Sequence, residues 1–171
     1  GTITARDAGL VGLVAPNVEN SGIIQARLGK VQLASGDIHT IDLAGDGLIK
    51  LEISDQALSQ SVKNTGTIQA DGGEVLMTAA QGRAALDAII ANHGRIQTGT
   101  IFASDDKVVQ KGKITLKAAT NKGAAKTKII NSGTVIADGG TVEMIADTVH
   151  LENTSTISVA ADNGGGAVYI G

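Results

Sequence analysis

Apolar and polar residues alternate along much of this chain in short bursts, and glycine punctuates the bursts. In one burst Ile68, Ala70, Val75 and Met77 fall on one side of the alternation, and Thr67, Gln69, Glu74 and Thr78 on the other. A period of two is the strand signal, because successive side chains of an extended chain point to opposite faces. The glycines limit each predicted strand to three to six residues. Asp71-Gly72-Gly73 and Asp138-Gly139-Gly140 fall at the same place in two bursts, where corner turns are expected.

The bursts are copies of one phrase. Asn20-Ser21-Gly22 leads to Ile24, Ala26, Val31 and Leu33; Asn64-Thr65-Gly66 to Ile68, Ala70, Val75 and Met77; Asn131-Ser132-Gly133 to Val135, Ala137, Val142 and Met144. Weaker copies begin at Gly1, at Asn92-His93-Gly94 with its second strand displaced to Ile114 and Leu116, and at Asn153-Thr154-Ser155 with Ile157. The anchors at 1, 22, 66, 94, 133 and 155 are separated by 21, 44, 28, 39 and 22 residues. The step of 44 is twice 22, which predicts a degenerate copy between them, best matched by Ile41-Asp42-Leu43-Ala44-Gly45 with Ile49 and Leu51.

Strands this short cannot build an isolated sheet with a core, but each can pair with its equivalent one repeat later. The chain is therefore expected to be all-β: a parallel β-helix of roughly eight coils, about 40 Å long at about 4.8 Å per coil. It is expected to be a single β-helix segment over 1–171 with one or two extra-helical insertions. One is expected near 79–92, where Ala79 to Asn92 reads as a short surface helix ahead of a strand at Ala88–Ile90. The other, near 99–112, reads as a loop or small hairpin leaving the stack. The recurrent Asn20, Asn64, Asn92, Asn131 and Asn153 are either a ladder of stacked amides or simply good turn residues. Gly1 opens a copy without its Asn and Gly171 closes on strand-like residues, so the segment is expected to belong to a longer protein with neighbouring repeats at both ends.

Composition narrows the chemistry. Phe102 and Tyr169 are the only aromatic residues, which argues for a thin aliphatic core and against sugar-stacking or single-strand nucleic-acid platforms. There is no cysteine, hence no disulfide and no thiolate metal site. A net charge of -3 gives no global attraction to nucleic acid. No apolar run approaches the length of a membrane-spanning helix.

The run Gly9-Leu10-Val11-Gly12-Leu13-Val14-Ala15-Pro16-Asn17-Val18-Glu19-Asn20-Ser21-Gly22 resembles the filamentous-haemagglutinin-like exoproteins of Gram-negative bacteria. Gly29 to Gly36, Ile41 to Leu48, Val62 to Gly66 and Asp71 to Ala79 continue the likeness in the same order. The resemblance implies a right-handed β-helix in a secreted, cell-surface adhesin that attaches to host cells or surfaces. Its export partner is an outer-membrane two-partner secretion transporter, engaged through regions outside this segment. The family's secretion domain carries Asn-Pro-Asn motifs; this chain has no Asn-Pro pair and is expected to start downstream of them. No catalytic residue is implied, because the family's helix is a scaffold.

His39, His93 and His150 share no helical face and have no cysteine beside them, so exposed polar positions are expected. Asp42 and Asp46 around Gly45 and Gly47 lack the further oxygen ligands that calcium wants, and read as a turn. No nucleophile elbow or phosphate loop is present. No catalytic, cofactor-binding or metal residue is expected, and no cofactor. A polysaccharide-degrading β-helix enzyme is the rival reading, and would need carboxylates clustered on one external face. The inert stalk of a contact-dependent toxin is the third. One charge feature stands out: Lys107, Lys111, Lys113, Lys117, Lys122, Lys126 and Lys128 lie within 22 residues that hold no Asp or Glu. They are either lysines that protect sheet edges or a patch for anionic surface glycan or lipopolysaccharide.

Overall fold

A short strand with alternating polarity has one dry face and two open edges. A parallel neighbour one coil on satisfies both needs at once. A computed structural model describes residues 1–35, 38–41, 49–52, 59–80, 87–102, 108–119, 126–162 and 164–171 of the chain, and there this arrangement repeats from end to end. Every regular element among them is a strand.

The first coil holds β1 (Thr2–Thr4), β2 (Leu10–Val14) and β3 (Asn17–Asn20). The second holds β4 (Ile23–Gln25), β5 (Lys30–Ser35), an inserted pair β6 (Ile38–Ile41) and β7 (Ile49–Glu52), then β8 (Ser59–Asn64). The third holds β9 (Thr67–Gln69), β10 (Glu74–Ala80) and β11 (Asp87–Asn92). The fourth holds β12 (Arg95–Thr98), a second inserted pair β13 (Ile101–Phe102) and β14 (Val108–Gln110), then β15 (Lys113–Ala119) and β16 (Thr127–Asn131). The fifth holds β17 (Thr134–Ala137), β18 (Thr141–Ile145) and β19 (Thr148–Leu151); the sixth holds β20 (Thr156–Ser158) and β21 (Ala167–Ile170).

Equivalent strands line up into three parallel sheets. The first is β1-β4-β9-β12-β17-β20, the second β2-β5-β10-β15-β18-β21, and the third β3-β8-β11-β16-β19. Ile24, Ile68, Ile96 and Val135 are in register in the first sheet and fully buried. In the second sheet so are Val31, Val75, Ile114 and Val142, with Leu33, Met77, Leu116 and Met144 beside them. Val62, Ile90 and Ile129 supply the third side, and all belong to one core cluster. The fold is a parallel β-helix, and the core positions set by the phrase face inward as the alternation requires.

The number of coils differs from the expectation. Two of the sheets have six strands each, so the described stack has six rungs, not roughly eight, and is about 24 Å tall at about 4.8 Å per rung. The step of 44 residues is one coil: Val31 pairs directly with Val75 and Asn20 with Asn64. The expected extra copy at Ile41–Leu51 is instead the antiparallel pair β6–β7, inserted between the second and third sheets. Hydrophobic alternation cannot distinguish a rung from a hairpin, because both are extended chain. The helix expected from Ala79 is not formed at its two ends, since β10 runs through Ala80 and β11 starts at Asp87; positions 81–86 lie outside the described residues. In 99–112 the antiparallel pair β13–β14 leaves the stack between the first and second sheets.

Two corners are pinned by specific residues. Before the first sheet the Asn20 amide donates to Asn64 Oδ1 at 2.8 Å, Asn64 to Asn92 at 2.9 Å and Asn92 to Asn131 at 2.7 Å. Asn64 and Asn131 also donate to the carbonyl two residues on, which fixes the turn. Asn153 does not join. Leu151 occupies the ladder position opposite Asn131, the last corner holds two more residues, and Asn153 sits exposed in it. Beside the amides, Gly22, Gly66, Gly94 and Gly133 form a column of close backbone approach; a Cβ on Gly66 would lie 2.1 Å from the Gly22 carbonyl oxygen. A second column before the second sheet runs through Gly9, Gly29 and Gly73, where a Cβ on Gly73 would meet the Gly29 carbonyl at 2.1 Å.

A polar side chain interrupts the aliphatic column of the first sheet. Ala26, Ala70 and Ala137 hold the last inward position of the first sheet, but the fourth coil has Thr98 there. Its hydroxyl is fully buried and has no hydrogen-bond partner. Replacing Thr98 by the isosteric Val removes that desolvated group without changing the volume. The expected gain is about 1 kcal/mol, read as a shifted urea midpoint at unchanged slope. A loss of stability would mean that the hydroxyl is satisfied.

Candidate functional site

The lysines expected to form one patch are carried by different surfaces. Lys113 and Lys117 project from the outer face of β15 in the second sheet, while Lys128 lies on β16 in the third. Lys111 precedes β15 at the foot of the inserted pair, and Lys126 precedes β16. Lys107 and Lys122 lie outside the described residues. Lys117, Lys126 and Lys128 thus flank one corner of the fourth coil, between the second and third sheets.

Acidic residues from the next coil meet part of this set. Lys113 Nζ lies 3.0 Å from Glu143 Oε2, and the Thr115 hydroxyl donates to the same oxygen at 3.2 Å. The hydrogen bond from Lys113 is the main reason that the Glu143 carboxyl titrates below its ordinary range; burial opposes it, and the charge of Lys113, the Thr115 hydroxyl and the field of Lys117 add to the lowering. Asp147 accepts from both the backbone N–H and the hydroxyl of Thr127, each at 2.9 Å, and Thr127 Oγ1 accepts from the Asp147 N–H at 2.8 Å. Those bonds, with a smaller contribution from Lys126, also hold the Asp147 carboxyl below its usual range. Lys113 is therefore neutralised by contact, whereas Lys111, Lys117 and Lys126 are exposed.

His93 and His150 lie on different coils and share no contact among the described residues. The ring of His93 shares a hydrogen bond of 2.6 Å with Ser132 Oγ one coil on, at the amide-ladder corner. His150 is exposed on β19, and His39 belongs to the inserted strand β6. Asp42 and Asp46 lie outside the described residues. Among the described residues, no group of three or more His, Cys, Asp or Glu could hold a metal ion.

A feature that the sequence reading passed over lies at the corner between the first and second sheets. Gly99, Thr100 and Phe102 of the fourth coil, Asp138 of the fifth, and Ala160, Ala161 and Asp162 of the sixth line an open hollow of ≈ 340 Å³. Its signal was available: Phe102 is one of only two aromatic residues and falls in an insertion. Asp138 reads from sequence as ordinary turn chemistry, and nothing local places Asp162 near it.

No protein-family model, characterised protein or solved structure matches this chain.

Proposed function

We propose that this chain is a non-enzymatic structural and adhesive segment of a secreted Gram-negative surface protein of the filamentous-haemagglutinin-like kind. In this reading it stands outside the outer membrane, is exported by a two-partner secretion transporter, and contributes to attachment through anionic surface glycan or lipopolysaccharide. The observation that carries it is the stack itself. Buried amides hold successive coils together, and insertions leave the stack at its corners. Such a stack can add one coil at a time as chain emerges. Three acidic side chains on its flanks are occupied in ion pairs, Glu143 with Lys113, Glu19 with Lys63 and Asp7 with Arg27.

The exposed lysines of the fourth coil are the proposed contact. Exposed charges act weakly one by one, and salt screens them over about 8 Å at physiological strength. The triple change Lys111→Gln, Lys117→Gln and Lys126→Gln is expected to lower the salt concentration at which the chain leaves a heparin column. Lys113→Gln alone is expected to leave retention unchanged, because that charge is already matched by Glu143. Beads coated with the chain should attach to glycan-bearing cells less well when they carry the triple variant. Elution of wild type and triple variant at the same low salt would leave the lysines as edge protection and remove the glycan from the proposal.

A further inference from the structure

The corner hollow is built by a rigid device. The inserted pair β13–β14 is fastened at its root, where the Gly99 N–H donates to Asp71 Oδ1 at 3.1 Å and Gln69 donates to the other oxygen of Asp71 at 2.7 Å. On the next residue the Thr100 hydroxyl donates to the Asp138 carbonyl one coil on. Ile101 then packs over Gly72, close enough that a Cβ there would meet its Cδ1 at 2.6 Å, with Leu28 beyond. The ladder of the inserted pair slips between Ile101 and Phe102, and Phe102 is the more exposed of the two. Phe102 is 39% exposed and forms one wall of the hollow.

The lining is also acidic. Asp138 and Asp162 come from the corner turns of the fifth and sixth coils, and neither carboxylate has a partner among the described residues. Among the described lining residues the only side-chain donor, the Thr100 hydroxyl, is already committed to the Asp138 carbonyl. The described side chains of the hollow therefore offer acceptors and a ring face, and no free donor. A ligand with donors and acceptors in equal number, such as a sugar, finds half of its groups unmatched. An anion is repelled. A planar cation that only donates matches every surface: its face stacks on the ring and its edge meets a carboxylate.

We propose that this hollow binds a guanidinium group, stacked on Phe102 and hydrogen-bonded to Asp138 and Asp162. The group is either a free small guanidinium compound or an arginine side chain of a partner polypeptide. The proposal does not depend on the adhesive reading.

Amide-resolved NMR titration of the intact chain tests this, with ethylguanidinium, acetyl-Gly-Arg-Gly-amide, acetyl-Gly-Lys-Gly-amide and methyl α-glucopyranoside as probes. Guanidinium probes are expected to give saturable shifts confined to positions 99–102, 138–139 and 160–162, with a Kd of about 1 mM and the arginine peptide about threefold tighter than the lysine peptide. Phe102→Ala and Asp162→Asn are each expected to weaken binding by about fivefold or more. Both side chains are exposed, so either variant is informative if the rest of its spectrum is unchanged. Arginine peptide binding about tenfold tighter than ethylguanidinium assigns the site to a polypeptide partner, and equal binding assigns it to a free small molecule. Shifts that do not saturate, a sugar or lysine probe that binds as well, or two folded variants that bind like wild type would overturn the proposal.

Discussion

Ile68→Asp is expected to cost several kcal/mol, most of the stability of a chain this size. Ile68 is fully buried and has Ile24 and Ile96 directly below and above it. No cationic side chain lies among the core residues to receive a carboxylate there. The new group must either stay protonated or drag water into a core that is one residue wide. Thr67, its neighbour on the outward face, should tolerate Ala within about 0.5 kcal/mol. Guanidinium denaturation of the two variants reads the register directly, and equal effects would contradict the assignment of inward and outward positions.

Gly66→Ala is expected to lose about 3 kcal/mol or more through a single methyl group. The added carbon would lie 2.1 Å from the Gly22 carbonyl oxygen and 2.8 Å from the Gly22 nitrogen, and these are backbone atoms held by the ladder. No rotamer can relieve that contact; only parting the coils can. Gly165→Ala is the matched control, since a Cβ there meets nothing within 4 Å. It should be neutral, or gain up to about 1 kcal/mol by restricting the unfolded chain. Thermal melting of both variants settles the comparison, and a Gly66→Ala protein that melts with the wild type would disprove the close approach.

The contrast between these positions explains what the sequence made legible. Ile24, Ile68 and Val135 were readable because burial imposes a period on every copy. The turn glycines were partly readable: Gly72 and Gly139 have φ of 65°, as their Asp-Gly-Gly context suggests. Ala8 and Leu28 adopt φ of 59° and 54° at the corresponding corner of the first two coils, and no local signal marks them. The coils, not the residue, impose that conformation. Asn153 was misplaced for a related reason. The phrase around it is a weaker copy with Ser155 in the glycine place, and register in the third sheet put Leu151 opposite Asn131 and left Asn153 in a longer turn. The hollow was illegible because Phe102, Asp138 and Asp162 come from three successive coils, and only stacking brings them together.

The amide ladder separates two lengths that a chain usually ties together. Its successive links span 44, 28 and 39 residues, yet each advances the stack by one strand spacing. Added sequence therefore thickens the rod and leaves its height unchanged. How far the tip stands from its base depends only on the number of coils. What the flank displays depends on the excursions at the corners. The two can vary independently, so such a molecule can change its bristles without altering its reach.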